Sequence, residues 1–91
     1  MQNKSIHILI SGRVQGVGFR YFVLRKAEEL QIKGWVKNTP DGKVEIEAEG
    51  GEEQLSTFID WMKIGPQRAV VSIISVEEFL PQRNFSTFQV R

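Results

Sequence analysis

Two stretches with apolar residues at helical spacing, set among runs that alternate apolar and polar residues, predict an α+β chain. Their order is strand, helix, strand, strand, helix, strand, with a further short strand. That is the order of a ferredoxin-like split β-α-β sandwich, an antiparallel sheet with two helices on one face. Length agrees, because 91 residues build one hydrophobic core but not two, so residues 1–91 read as a single domain. No linker, internal repeat or low-complexity segment interrupts the pattern.

The first strand is expected over Ser5 to Arg13, with Ile6, Ile8 and Ile10 facing the core and His7, Leu9 and Ser11 on the other side. From Phe19 to Gln31 the residues Phe19, Phe22, Val23, Ala27 and Leu30 form one helical stripe, opposite Arg25, Lys26, Glu28 and Glu29. Lys33 to Asn38 is β-leaning, with Val36 and Asn38 on one face and Trp35 and Lys37 on the other. Thr39-Pro40-Asp41-Gly42 places proline at the second position of a tight turn and glycine where a positive φ is needed, so the flanking runs form a hairpin. Lys43 to Glu49 then points Val44, Ile46 and Ala48 inward and Lys43, Glu45, Glu47 and Glu49 to water. Gly50-Gly51 breaks that strand. Glu52 and Glu53 complement the dipole in the first turn of a second helix, whose stripe is Leu55, Phe58, Ile59 and Met62 and which ends at Gly65-Pro66. A strand is expected from Ala69 to Glu78, but Ala69-Val70-Val71 and Ile73-Ile74 fit neither face, which predicts a bulge or a two-sided strand. Pro81 to Asn84 reads as loop, and Phe85, Ser86, Thr87, Phe88 and Val90 as a short last strand.

Composition removes several kinds of chemistry. Twelve basic residues against 11 acidic ones give a net charge of +1, so no global field draws the chain to nucleic acid or an anionic membrane, and any anion binding must be local. There are no cysteines, which excludes disulfides, thiolate nucleophiles and cysteine-ligated metals. The sole histidine is His7, with no partner at metal-ligand spacing, so a solvated or hydrogen-bonded surface histidine is the expectation there. No apolar run approaches the ~20 residues of a membrane span, and Met-Gln-Asn-Lys-Ser lacks the apolar core of a signal peptide. A cytoplasmic protein is expected.

The stretch Gly12-Arg13-Val14-Gln15-Gly16-Val17-Gly18-Phe19-Arg20 joins the first strand to the first helix. A dinucleotide fingerprint would need a third glycine after Gly16-Val17-Gly18, and the Gly-Lys-Ser/Thr ending of a nucleotide P-loop is missing. Two readings remain. The glycines can simply make a compact strand-to-helix connection. Alternatively, loop amides, a helix N-terminus and the forked guanidinium of Arg20 can converge as a cradle for a phosphoryl group. Asn38 is similarly two-sided: before a turn it can cap its own backbone, and beside the loop mouth its carboxamide can serve the site.

Near the loop stands no histidine, cysteine, aspartate or glutamate, and Ser11 has no base to activate it. Amides, a guanidinium and a carboxamide can bind a phosphoryl group and orient a water, but cannot protonate a poor leaving group. Such a site suits phosphates whose leaving group departs unaided, such as a carboxylate.

These residues carry a resemblance. Gly12 to Arg20, with Gly34-Trp35-Val36-Lys37-Asn38 and Asp41-Gly42-Lys43-Val44-Glu45, resembles the acylphosphatases, and the likeness extends over nearly the whole chain. It implies hydrolysis of a small-molecule acyl phosphate to a carboxylate and inorganic phosphate, on a ferredoxin-like fold, with no metal and no cofactor. By position, it implies that Arg20 binds the phosphate with loop residues Gln15, Gly16, Val17, Gly18 and Phe19. It implies that Asn38 orients the attacking water, and that the substrate's own phosphate takes the proton. Lys37 stands where arginine is frequent in the family, and the chain ends at Val90-Arg91 without the tyrosine of some members; neither departure touches Arg20 or Asn38.

The rival reading is a non-enzymatic ferredoxin-like module binding RNA or a small ligand. Gly18-Phe19-Arg20-Tyr21-Phe22-Val23 superficially resembles an RNA-stacking motif, but its aromatics open a helix, and the neighbouring strand offers Glu45, Glu47 and Glu49 to a phosphate backbone. No nucleic-acid or membrane partner is expected, and the chain is expected to be a monomer. Arg13 reads as a solvated neighbour of the loop, and Trp35, Trp61 and the phenylalanines as core or partly covered surface.

Overall fold

The apolar alternation sets the layers. A computed structural model describes residues 3–80 and 82–91; Pro81 of the expected Pro81–Asn84 loop lies outside the described residues, as do Met1 and Gln2 of the N-terminal stretch. In chain order the elements are β1 (Asn3–Arg13), α1 (Phe19–Glu29), β2 (Lys33–Asn38), β3 (Val44–Gly51), α2 (Glu52–Ile64), β4 (Val70–Glu78) and β5 (Phe88–Val90). The strands form one sheet in the order β4-β1-β3-β2-β5. Ile6, Ile8 and Ile10 of β1, Val36 of β2 and Val44, Ile46 and Ala48 of β3 are all buried against Phe19, Val23 and Ala27 of α1 and Leu55, Phe58 and Met62 of α2. Both helices thus cover the same face, as the stripes predict. On their outer side Lys26 Nζ sits 3.8 Å from the centre of the Trp61 ring, tying α1 to α2 by a cation–π contact.

β1, β2, β3 and β4 pair antiparallel, but β5 runs parallel to β2, so the sheet is mixed at that edge. The last strand is also shorter than the expected Phe85–Val90 run. The awkward apolar pattern of β4 has a local cause. Its register against β1 passes from Ser11↔Ile73 to Gly12↔Val71, leaving Ser72 as the extra residue of a bulge. The bulge resets the alternation, so Val71 and Ile74 both pack on the core while Val70 and Ile73 stay exposed.

The structure overturns one expected orientation. Glu49 does not reach water: it is only 5% exposed. It does lie on the outward face with Glu45 and Glu47, as alternation requires, but that face is covered there. Ser5 Oγ donates to its carboxylate at 2.7 Å, and the backbone amides of Arg83, Asn84 and Phe85 donate at 3.0, 3.1 and 3.0 Å. Burial opposes the charge on Glu49, but the Ser5 hydroxyl and the Asn84, Phe85 and Arg83 amides together outweigh it and hold the carboxyl below its ordinary value.

Candidate active site

Sheet register brings the two singled-out segments to one end of the molecule. Asn38 pairs with Val44, and Val44 pairs with Ile10, so a single row crosses β2, β3 and β1. Beyond that row β1 continues to Arg13 and hands over to the loop leading into α1. The loop is pinned at both ends by buried apolar side chains, Val14 and Phe19, and the Phe19 ring packs closely over Gly65 at the end of α2. Between these anchors Gly16 and Gly18 take φ of 75° and 80°, the left-handed region that other residues adopt at a cost.

The result is a pocket of about 180 Å³ at the start of α1, lined by Gly16, Gly18, Arg20, Tyr21 and Asn38 together with the apolar Val14 and Phe19. A water takes up about 30 Å³, so the pocket has room for a small anion and a water together. No side chain caps α1, and no acidic residue stands in its first turn. Among the described residues, the amides from Gln15 to Phe19 have no hydrogen-bond partner. Of these five residues Gly16, Gly18 and Phe19 line the pocket, so unpaired donors and the positive end of the helix dipole lie at its wall.

Arg20 is exposed, and its Nη1 donates to the main-chain oxygen of Arg91 at 3.0 Å. Arg91 is itself fixed beside β2, its amide donating to Val36 O at 2.8 Å. The guanidinium is thereby held by the chain just past β5, with its other donors left over. Sequence reasoning missed this tether, because nothing in the alternation of a three-residue strand says that it pairs in parallel with β2.

Asn38 projects from the end of β2 on the helix side of the sheet. Its Oδ1 is buried with no hydrogen-bond partner among the described residues. A buried unpaired acceptor costs about 1–3 kcal/mol, a cost that a bound water or ligand removes. The turn does not use this side chain. Thr39 closes the hairpin instead: its amide donates to Lys43 O at 2.9 Å, its Oγ1 accepts from the Lys43 amide at 2.9 Å, and its carbonyl accepts from the Gly42 amide at 3.2 Å. The Thr39 hydroxyl also bonds Asp41 and holds that carboxyl below its ordinary value.

Gln15 joins the two halves in a way that spacing does not reveal. Its Nε2 donates to Thr39 O and to Lys43 O, each at 2.9 Å. A glutamine inside a glycine-rich loop carries no sequence signal for such a contact. Only the row Ile10–Val44–Asn38 puts the hairpin within its reach.

The other residues weighed from sequence lie elsewhere. His7 is on the outward sheet face, with Nε2 at 2.7 Å from Glu45 Oε2, and is no part of the pocket. Trp35 is nearly buried between Lys37 and Arg91, and Phe19, Tyr21 and Phe22 stand on α1 and not on a sheet face. Among the described residues no group of three or more His, Cys, Asp or Glu is placed to hold a metal ion. No helix among them is long and apolar enough to cross a membrane.

Comparison with known proteins converges on one family. The sequence model described as Acylphosphatase matches residues 6–90. An acylphosphatase of Chlorobaculum tepidum is 43% identical over 90 residues, covering 99% of this chain and 98% of that protein. The crystal structure of acylphosphatase from Bacillus subtilis superposes with a TM-score of 0.94 at 43% identity, over 97% of this chain and 98% of the other. The structure of an acylphosphatase from Coxiella burnetii superposes with a TM-score of 0.93 at 44% identity, over 98% of this chain and 93% of the other.

Proposed function

This chain belongs to the acylphosphatase family, and from that membership we propose that it hydrolyses acyl phosphates to a carboxylate and inorganic phosphate through the pocket at the start of α1. The observation that carries the reading is the meeting of three kinds of group in one small pocket: unpaired loop amides, the Arg20 guanidinium and the buried, unpartnered Asn38 Oδ1.

In this mechanism the amides of Gln15, Gly16, Val17, Gly18 and Phe19 and the fork of Arg20 hold the phosphoryl oxygens and balance their charge. Asn38 Oδ1 accepts a hydrogen bond from a water and aims its oxygen at phosphorus. The water oxygen forms the new bond to phosphorus while the bond from phosphorus to the acyl oxygen breaks, and that oxygen leaves with the electron pair as a carboxylate. The proton of the attacking water passes to an oxygen of the transferring phosphate. No step asks for a protein acid or base, which matches a pocket whose wall holds no carboxyl, imidazole, thiol or ammonium group; its one hydroxyl, the phenol of Tyr21, is given no role. A carboxylate leaves without protonation, and an alkoxide does not, so selectivity for acyl phosphates over phosphate monoesters follows from what the pocket lacks.

The test is hydrolysis of benzoyl phosphate beside an alkyl phosphate monoester, glycerol phosphate, in excess chelator. The expected result is turnover of the acyl phosphate alone, unaffected by chelation. Comparable cleavage of the monoester, or activity that vanishes with chelator and returns with a divalent cation, overturns the mechanism.

A further inference from the structure

The hydrogen bonds of Gln15 carry a consequence for catalysis. The loop that holds phosphate in the proposed site is fixed to the core by the buried Val14 and Phe19 at its ends and by the partly buried Val17 between the left-handed Gly16 and Gly18. The hairpin is a separate unit with its own closure through Thr39. Gln15 Nε2 reaches from the one to the other and spends both its hydrogens on it, one on Thr39 O and one on Lys43 O. Thr39 directly follows Asn38, and Lys43 closes the same turn. Among the described residues no other side-chain hydrogen bond joins residues 14–19 to residues 38–43.

We propose that the Gln15 side chain is a positioning residue: it sets the distance between the phosphoryl cradle and the water held by Asn38. This rests on the reading of Asn38 given above. In-line attack requires water, phosphorus and leaving oxygen to lie on one line, and a misplacement of about 1 Å costs about a hundredfold in rate. Phosphate binding needs the cradle and Arg20 alone, whereas attack needs cradle and hairpin in register. Loss of the clamp therefore falls on kcat and spares phosphate affinity. The contact lies at the turn and leaves the pocket wall untouched, so it is an added function for a residue whose backbone amide already serves the cradle.

Gln15→Ala removes the clamp, and Gln15→Glu keeps its shape while replacing the donor by a carboxylate that two carbonyls repel. Both are made in the wild type and in Asn38→Ala, and benzoyl phosphate kinetics are measured with inorganic phosphate as competitive inhibitor. In the wild-type background kcat should fall about tenfold in both variants, with the phosphate inhibition constant changed less than about twofold. In the Asn38→Ala background the same substitutions should change kcat less than about twofold, because the group they position is gone. A general weakening of the fold would instead multiply through both backgrounds, so equal losses in the two overturn the proposal. A fall in phosphate affinity as large as the fall in kcat overturns it as well, by assigning Gln15 to the cradle alone. A wild type that does not hydrolyse the acyl phosphate, or an Asn38→Ala variant with full kcat, strikes the underlying reading and the clamp falls with it.

Discussion

At the scale of single residues, Arg20 and Asn38 divide the proposed work between charge and direction. Arg20 has a full charge and free donors, held by the Arg91 main-chain oxygen. Replacing it by glutamine removes the principal partner of a phosphoryl dianion. Arg20→Gln should lower kcat/KM about a thousandfold and also weaken inhibition by inorganic phosphate, measurable by competition. Asn38→Ala removes only the group that aims the water. It should lower kcat about a hundredfold or more while phosphate inhibits as before, and an equal loss of phosphate binding in a folded variant would make Asn38 a structural residue. His7→Gln serves as the control. The His7–Glu45 contact lies on the outward sheet face, so kcat should change less than about twofold; a large fall would expose an acid–base role outside the pocket. Legibility at this scale was uneven for a physical reason. Arg20 and the glycines announce themselves by type and spacing. The Gln15 clamp and the Arg91 tether depend on which strands become neighbours, and a side chain of ordinary type gives no sign of a partner 24 or 71 residues away.

At the scale of elements, the cradle is a strand end and a helix start joined through glycines that do different jobs. Gly12 sits opposite the β4 bulge with φ of 129°, and a Cβ there would collide with the Val70 carbonyl and the Ser72 amide. Gly16 has φ of 75° and open space around it. Gly12→Ala should therefore cost about 3 kcal/mol or more of stability, through backbone strain plus a clash with backbone that cannot step aside. Gly16→Ala should cost only about 1–2 kcal/mol, from the left-handed backbone alone, yet weaken phosphate binding, because its extra methyl enters a wall of the pocket. Urea unfolding of both variants beside phosphate inhibition of Gly16→Ala checks this. A Gly12→Ala variant as stable as Gly16→Ala would contradict the account of the bulge. Elements were readable where one face is buried and the other wet, as in β1, β3 and both helices. The bulge in β4 was readable as a fault in the alternation, since the extra Ser72 is what spoils the pattern. The direction of β5 was not, because a three-residue strand holds too little pattern to declare its partner.

At the scale of the whole molecule, strand order forces a crossing. β4 and β5 are the two outer strands of the sheet, so the chain has to get from one edge to the other, and the hydrogen bonds of residues 83–85 to Glu49 put that passage on the face that the helices leave open. Glu49, on the central strand β3, gathers the amides of Arg83, Asn84 and Phe85 at mid-crossing, and Arg83 Nε adds a contact at 3.3 Å to Glu47 Oε1. Alternation put Glu49 on the correct face, but no local pattern says what later crosses that face, and hence the expectation of a solvated carboxylate failed. Its consequence is a defined dependence on pH. The folded state holds the Glu49 carboxyl below its ordinary value of 4.5, so the unfolded chain binds its proton first as pH falls. The stabilisation is fully present above pH 4.5 and is lost progressively as pH drops from there through the lower folded value. Glu49→Gln abolishes the charge and presents an amide to donors that need an acceptor, at a cost of about 3 kcal/mol near neutrality. The gap between wild type and Glu49→Gln, measured by urea unfolding, should be widest at pH 7 and shrink progressively as pH falls below 4.5, as the wild-type carboxyl approaches the neutral state of the variant. A gap that stays constant or widens on acidification would show that Glu49 is not the group tying the crossing to the sheet. Since that crossing delivers β5, and β5 delivers the Arg91 oxygen to Arg20, Glu49→Gln should also speed amide hydrogen exchange at Arg91 and loosen the guanidinium at the far end of the sheet.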